Sequence, residues 1–274
     1  MLNILNLHSG AETGQGKVRA KMIRGAGLNF QRGMWAEAWI QSINARRFVA
    51  LAVLGETALR TSADWFEFSE SFVAGLALGL VSTLLWAYLA YAVHAQILLP
   101  DDRDSTMANT RVFGFALRSF GIVIVVGIVF ALGAFVLARM VGVWPGIAGL
   151  LAAIALGFPL FVWLATLLPA YVAGRARGVS AAIERGKAHF GWIAGRLLIG
   201  PFLLLILFGT LYSILSIPVD SIGPFWNEER VFLPINFFGF LSFNIVQAFA
   251  TALTAVILSR AFLREEGMPD PAAA

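Results

Sequence analysis

The stretch FVALAVLGETALRTSADW, residues 48–65, decides the architecture of this chain. Its apolar run, Phe48 to Leu54, is too short to cross a hydrocarbon core of ~30 Å at ~1.5 Å of helix rise per residue. Gly55, Glu56 and, four residues later, Arg60 follow. Read alone, it is not a membrane span. On a helix, though, Glu56 and Arg60 share one face and can pair, which lowers the cost of burying either charge. Whether the stretch crosses a bilayer or lies on its surface depends on its flanks.

On the C-terminal side the chain turns apolar. Five stretches without Asp, Glu, Lys or Arg follow, from Phe72 to Pro100, Ser119 to Ala138, Met140 to Gly174, Leu197 to Val219 and Val231 to Ser259. Each is long enough to span. In the third, Trp144 and Pro145 mark the helix start, because proline suits a first helical turn and tryptophan the headgroup interface. Arg139 and Trp144 bracket a tight turn outside the membrane. Composition agrees: 59% of the 274 residues are hydrophobic and 13% charged, against roughly 45–50% and 25% in soluble domains. A soluble fold of this size needs more of a charged skin than 20 basic and 16 acidic side chains supply. The bilayer is therefore the solvent for most of the chain. The absence of cysteine excludes disulfides, thiolate zinc sites and Fe–S clusters, and three histidines leave little for metal or haem.

Loop charges bear on the number of crossings, since cytoplasmic loops near helix ends are enriched in Lys and Arg. One loop carries Arg103, Arg111 and Arg118, and another Arg175, Arg177, Arg185, Lys187 and Arg196, whereas Arg139 and Arg230 stand alone in the intervening turns. Before residue 48 lie Lys17, Arg19, Lys21, Arg24, Arg32, Arg46 and Arg47. Five crossings put that segment on the wrong side. With residues 48–65 as a sixth and weakest crossing, 17 of the 20 basic residues are cytoplasmic, and Arg60, Arg139 and Arg230 are outside. Asp64, Glu67 and Glu70 then form an acidic outer loop, with Trp65, Phe66 and Phe68 at the interface. The expectation is an all-α integral membrane protein with six transmembrane helices, near 48–65, 72–99, 119–138, 145–173, 197–218 and 232–259. Both termini are then expected to face the cytoplasm. The rival expectation leaves Phe48 to Leu59 as a surface or re-entrant helix.

Residues 1–28, lacking the basic and apolar regions of a secretory signal, read as a mobile cytoplasmic arm. Residues 29–264 read as one membrane domain, and 265–274, with Gly267, Pro269 and Pro271, as a cytoplasmic tail. Phe48, Phe120 and Phe190 each follow a basic cluster, 72 and then 70 residues apart. That spacing suggests three hairpin repeats, each introduced by an interfacial cytoplasmic helix; helix length alone would also set such a period. On such helices Arg111, Arg118, Arg185 and Lys187 would meet lipid phosphate or a partner, while Val112 or Ile183 dips into the acyl boundary.

Three motifs carry a resemblance. They are Val143-Trp144-Pro145-Gly146-Ile147, Leu168-Pro169-Ala170-Tyr171, and Gly178-Val179-Ser180-Ala181-Ala182-Ile183-Glu184-Arg185-Gly186 running on to His189-Phe190-Gly191-Trp192. Together they resemble a broad bacterial family of six-span membrane proteins, similar to the membrane domain attached to some glycerophosphodiester phosphodiesterases. The likeness covers residues 110–210. It implies a six-span fold and no catalytic residue, because the phosphodiesterase domain has no counterpart here.

Chemistry inside the membrane is sparse. Glu56 and Arg60 form the candidate buried pair, and buried charge is a functional hypothesis by default. His94 reads as an interfacial side chain snorkelling toward water in preference to a ligand or proton relay. Asn236, Asn244, Gln247, Thr251 and Thr254 share one face of the last helix, as a packing seam or a lined cavity. Small residues repeat at Gly75 and Gly79, at Gly149, Ala153 and Gly157, and at Gly191 and Gly195, which favours close helix contact. Pro159 and Pro201 interrupt their spans and are expected to kink them. Asp101, Asp102 and Asp104 are read as a solvated loop, with a divalent-ion site as the lesser alternative. Phosphate-loop, zincin and serine-hydrolase motifs are absent. No cofactor is expected, and anionic phospholipid, not nucleic acid, is the expected counter-charge for a net charge of +4. The leading expectation is a non-enzymatic accessory or scaffold subunit, with a membrane-protein partner or a second copy of itself. A transporter or channel for a small or lipid-like molecule comes next, and a lipid-headgroup enzyme third.

Overall fold

The computed structural model describes residues 33–66, 72–99, 109–140, 144–175, 178–216 and 231–265, with 142, 225 and 226. The arm at 1–28, the aspartates at 101, 102 and 104, Glu67, Phe68, Glu70 and the tail beyond 265 lie outside the described residues. What is described is helical: α1 (Met34–Asn44), α2 (Arg46–Trp65), α3 (Phe72–Leu98), α4 (Asn109–Met140), α5 (Pro145–Ala152), α6 (Phe158–Ala165), α7 (Leu167–Val172), α8 (Gly178–Ala188), α9 (Phe190–Leu197), α10 (Leu203–Ser216) and α11 (Pro234–Glu265). Among the described residues, five helical runs are long and apolar enough to cross a membrane, at Val73–Leu98, Arg111–Arg139, Gly146–Val172, Phe190–Ser213 and Pro234–Glu265. The chain is thus an all-α, multi-pass membrane protein. Helix α2 is a complete helix too polar to count among the five.

Two spans contain π turns. One, Ala153–Gly157, precedes Pro159; the other, Leu198–Phe202, contains Pro201. A proline ring collides with the carbonyl four residues back and offers that carbonyl no N–H. The wider π turn moves the carbonyl aside and lets the helix continue.

Helix α11 occupies the centre and touches α1, α2, α3, α7, α9 and α10. Alanines at 248, 250, 252, 255 and 261, all buried, let these neighbours approach. Contacts along α11 place the other helix ends. Near its start, Asp64 at the end of α2 meets Phe225 and Trp226, whose segment returns to Leu233. Midway, Asn244 meets Thr57 of α2, and near its end Ser259 meets His94 of α3. So α2 lies antiparallel to α11.

Helix α1 does not prolong α2. With Thr57 opposite Asn244, a straight extension at ~1.5 Å per residue would carry Trp35 beyond the end of α11. Trp35 and Trp39 instead pack against Phe249, with ring centres 5.8 and 6.2 Å away, while Glu37 pairs with Arg260. Both contacts are met when α1 turns at Ala45 and lies across α11, tryptophans pointing one way and Glu37 the other.

The expected boundaries change in two places. The stretch ending at Phe120 is not a separate surface helix, because α4 runs unbroken from Asn109 to Met140. Val112, Phe115 and Ala116 are buried along it, so Val112 sits in the core and not in acyl chains. The apolar helical run expected from 197 begins at Phe190. His189 does separate α8 from α9. The three expected hairpins thus differ in their entrances: breaks at Ala45 and His189, none ahead of Phe120.

Candidate functional site

Polar side chains within the bundle gather at three levels. At mid-depth, Asn244 is buried and its Nδ2 donates to Thr57 Oγ1 at 3.0 Å, while Thr57 Oγ1 donates to Val53 O at 2.7 Å. One turn of α2 away, Arg60 Nε donates to Glu56 Oε1 at 3.0 Å. Glu56 is buried and Arg60 about half exposed, so the carboxylate is inside and the guanidinium reaches out. Within the expected polar stripe, Asn236 is buried with Asn244, Gln247 and Thr251 are half-buried, and Thr254 Oγ1 turns back on Ala250 O at 2.9 Å.

His94 does not snorkel. It is 1% exposed, hydrogen-bonded through Nδ1 to Ser259 Oγ at 2.7 Å and packed on Phe115. Its partner is 165 residues away in sequence and supplies the polar contact that water would have given.

The end of α11 collects the basic residues. Arg185 is the clearest correction to the expected lipid contacts. It is buried, pairs with Glu265, donates to Thr166 O at 3.1 Å and lies over Phe262. It pins α8 to α7 and α11. Gly186 beside it allows this fit, since a Cβ there would strike the Trp163 backbone. Arg118 stacks on Tyr171 at 4.0 Å and donates to Gly114 O at 2.8 Å, so it too is held by protein. Arg111 and Lys187 are exposed; the Arg111 carbonyl accepts from Tyr171 Oη, and Lys187 Nζ lies 5.4 Å from the Trp163 ring centre.

A cluster the residue-by-residue reading missed lies beside them. Arg196 and Arg264 place their guanidiniums 4.0 and 4.2 Å from the centre of the Trp192 ring, and Arg260 pairs with Glu37 of α1. Burial raises the Glu37 pKa above the ordinary carboxylate value, against the pull of Arg260. The available signal was two four-residue spacings, Trp192 with Arg196 and Arg260 with Arg264.

At the opposite end Asp64 is a tether. One of its oxygens accepts from the backbone N–H groups of Phe225 and Trp226 at 2.6 and 3.2 Å, while Trp226 Nε1 donates to Thr61 O and its ring packs on Trp65 at 4.5 Å.

Among the small-residue ridges, Gly149 and Gly157 pack on Phe130 of α4, whereas Gly75, Gly79, Gly191 and Gly195 face open space. Among the described residues no three His, Asp or Glu side chains gather as metal ligands. No protein-family model, curated protein or solved structure matches the chain.

Proposed function

We propose that this chain is a non-enzymatic membrane protein that works by contact, as an accessory or scaffold subunit, within the six-span bacterial family that residues 110–210 resemble. One observation carries the reading: three of the buried polar side chains bond across to neighbouring helices. Asn244 meets Thr57, His94 meets Ser259, and Arg185 meets Thr166 and Glu265. A solute route would need such groups aimed into an opening. Membrane lipid, including anionic phospholipid, and a membrane-protein partner or second copy are the proposed neighbours.

The six-crossing topology belongs to the same proposal. Helix α2 has 20 residues, about 30 Å of rise, and runs beside α11 from the level of Ser259 to that of Phe225. Its exposed Leu51 and Leu54 suit lipid, and the Glu56–Arg60 pair lowers the cost of its charge. Of the twelve basic residues described, all but Arg60 and Arg139 lie toward the Arg260 end, which supports a cytoplasmic assignment for that end. In a bacterium this is the inner membrane.

Purification of the tagged chain from its native membrane in mild detergent tests the contact reading. A membrane protein recovered in fixed stoichiometry, or a defined homo-oligomer, is the expected result. A lone monomer that moves solute in proteoliposomes contradicts it. A transporter is the second reading, favoured by the two π turns: Phe158, just after the first, and Phe202, the last residue of the second, meet edge to face at 5.5 Å. The Asn244→Leu, Gln247→Leu double variant separates the two: a lost transport phenotype with normal expression favours a route, and lost packing favours the contact reading.

A further inference from the structure

The geometry points to a phosphate-binding site at the Arg260 end of the bundle, formed by Trp192 and Arg196 of α9 with Arg264 of α11. Two observations meet there. Trp192 Nε1 and Arg196 Nε are both buried donors that reach no acceptor among the described residues. They lie one turn apart on α9, and the guanidiniums of Arg196 and Arg264 are both stacked on the Trp192 ring. A buried donor left without an acceptor is costly, so the pair creates a demand for an oxyanion. A phosphate group fits that demand, because several oxygens accept at once from guanidinium and indole N–H groups. Stacking on the indole holds the guanidinium planes in advance of binding.

The neighbouring charges point the same way. Arg196, Arg260 and Arg264 lie close enough to repel one another, and a phosphate among them relieves that repulsion. Glu37 enters this group through Arg260 and belongs to α1, which crosses α11 at the same level. Trp192 and Arg196 sit in the first two turns of one apolar span and Arg264 in the last turn of another. That is headgroup depth for a bilayer, so the phosphate of an anionic lipid is the nearest source, and a soluble phosphate ester is the other source of the same chemistry. This inference gives the proposed lipid neighbour a site. It rests on the chain being in a membrane but not on the number of crossings.

The test uses the full chain purified in neutral detergent and native mass spectrometry with phosphatidylglycerol, acyl-matched phosphatidylcholine and inorganic phosphate. The wild type should prefer phosphatidylglycerol by about tenfold or more, the scale of one charge-assisted hydrogen bond. Arg196→Gln should remove most of that preference. Trp192→Phe, which keeps the ring and loses the N–H, should reduce it by a smaller factor, and Arg139→Gln at the far end should leave it unchanged. Saturable binding of inorganic phosphate to the wild type, lost in Arg196→Gln, with no preference between the lipids, supports the site and assigns it to a soluble ester. A wild type that binds neither phosphate nor phosphatidylglycerol selectively overturns it. So does a selectivity that survives both Arg196→Gln and Trp192→Phe. The wild-type arm stands without any variant, so misfolding of a variant cannot imitate the first of these results. Binding in detergent is independent of sidedness, so this site and the six-crossing topology fail separately.

Discussion

Helices α4 and α11 have the same length, 32 residues, and opposite situations. The most apolar stretch of α4 is 6% buried inside the protein, and that of α11 is 50% buried. The more apolar helix is the outer one. Along α4, Val123, Ile124, Val125, Ile128, Leu132 and Phe135 are exposed, all large side chains suited to acyl chains. Along α11, five alanines, Asn236, Asn244 and Ser259 are buried together with Leu253, Val256, Ile257, Leu258 and Phe262. In water the order would be reversed. In a bilayer, lipid tails are as apolar as leucine, so apolarity does not drive a helix inward, and small or hydrogen-bonding residues do.

The comparison breaks most easily through volume. Ala252 on α11 is fully buried, and Ala252→Leu should cost about 1–3 kcal/mol through overpacking. Gly127→Leu on α4 points into open space and should change stability by less than about 0.5 kcal/mol. Thermal unfolding in detergent, followed by size-exclusion chromatography, reads both; equal losses would remove the distinction between the two helices. Asn244→Leu comes next, at roughly 0.6–2 kcal/mol for the lost contact with Thr57. Ser242→Leu, on the exposed face of the same helix, should be neutral, and a matching loss there would mean that the hydrogen bond is not what orders the pair.

Asp64→Ala tests the far end. It strips two backbone N–H groups of their acceptor, at about 1–3 kcal/mol, and should make the segment before Pro234 more sensitive to protease while the helical signal holds. The smallest effect belongs to Glu37. Its raised pKa means that the folded chain holds this proton more readily than the unfolded one. Its contribution is full below the unfolded pKa and falls as pH rises through the folded value. Glu37→Gln should therefore flatten that part of the pH–stability profile and change stability least at acidic pH, where the Glu37 side chain is itself neutral.

Local spacing made part of this legible. The Glu56–Arg60 pair, the start of α5 at Pro145 and the apolar spans follow from residues a few positions apart, where helix geometry alone sets the outcome. What depends on distant partners was not legible. His94 needs Ser259, Asp64 needs Phe225, and Arg185 needs Glu265, at separations of 165, 161 and 80 residues. An arginine beside an apolar helix looks the same in sequence whether it snorkels outward or pins a neighbour. Arg185 turned inward because Gly186 lets α8 close on Trp163. The continuity of α4 was hidden likewise, since arginines before an apolar run suggest a surface segment, while Val112, Phe115 and Ala116 prefer the core.

The central claim is that α2 crosses the membrane beside α11. Because the chain has no cysteine, single-cysteine labelling reads it directly. Ser62 lies near the end of α2 and Ala188 at the end of α8, and both are exposed. With a membrane-impermeant maleimide on intact cells, Ser62→Cys should label and Ala188→Cys should label only after lysis. Labelling of both positions under the same condition would place them on one side and contradict the account.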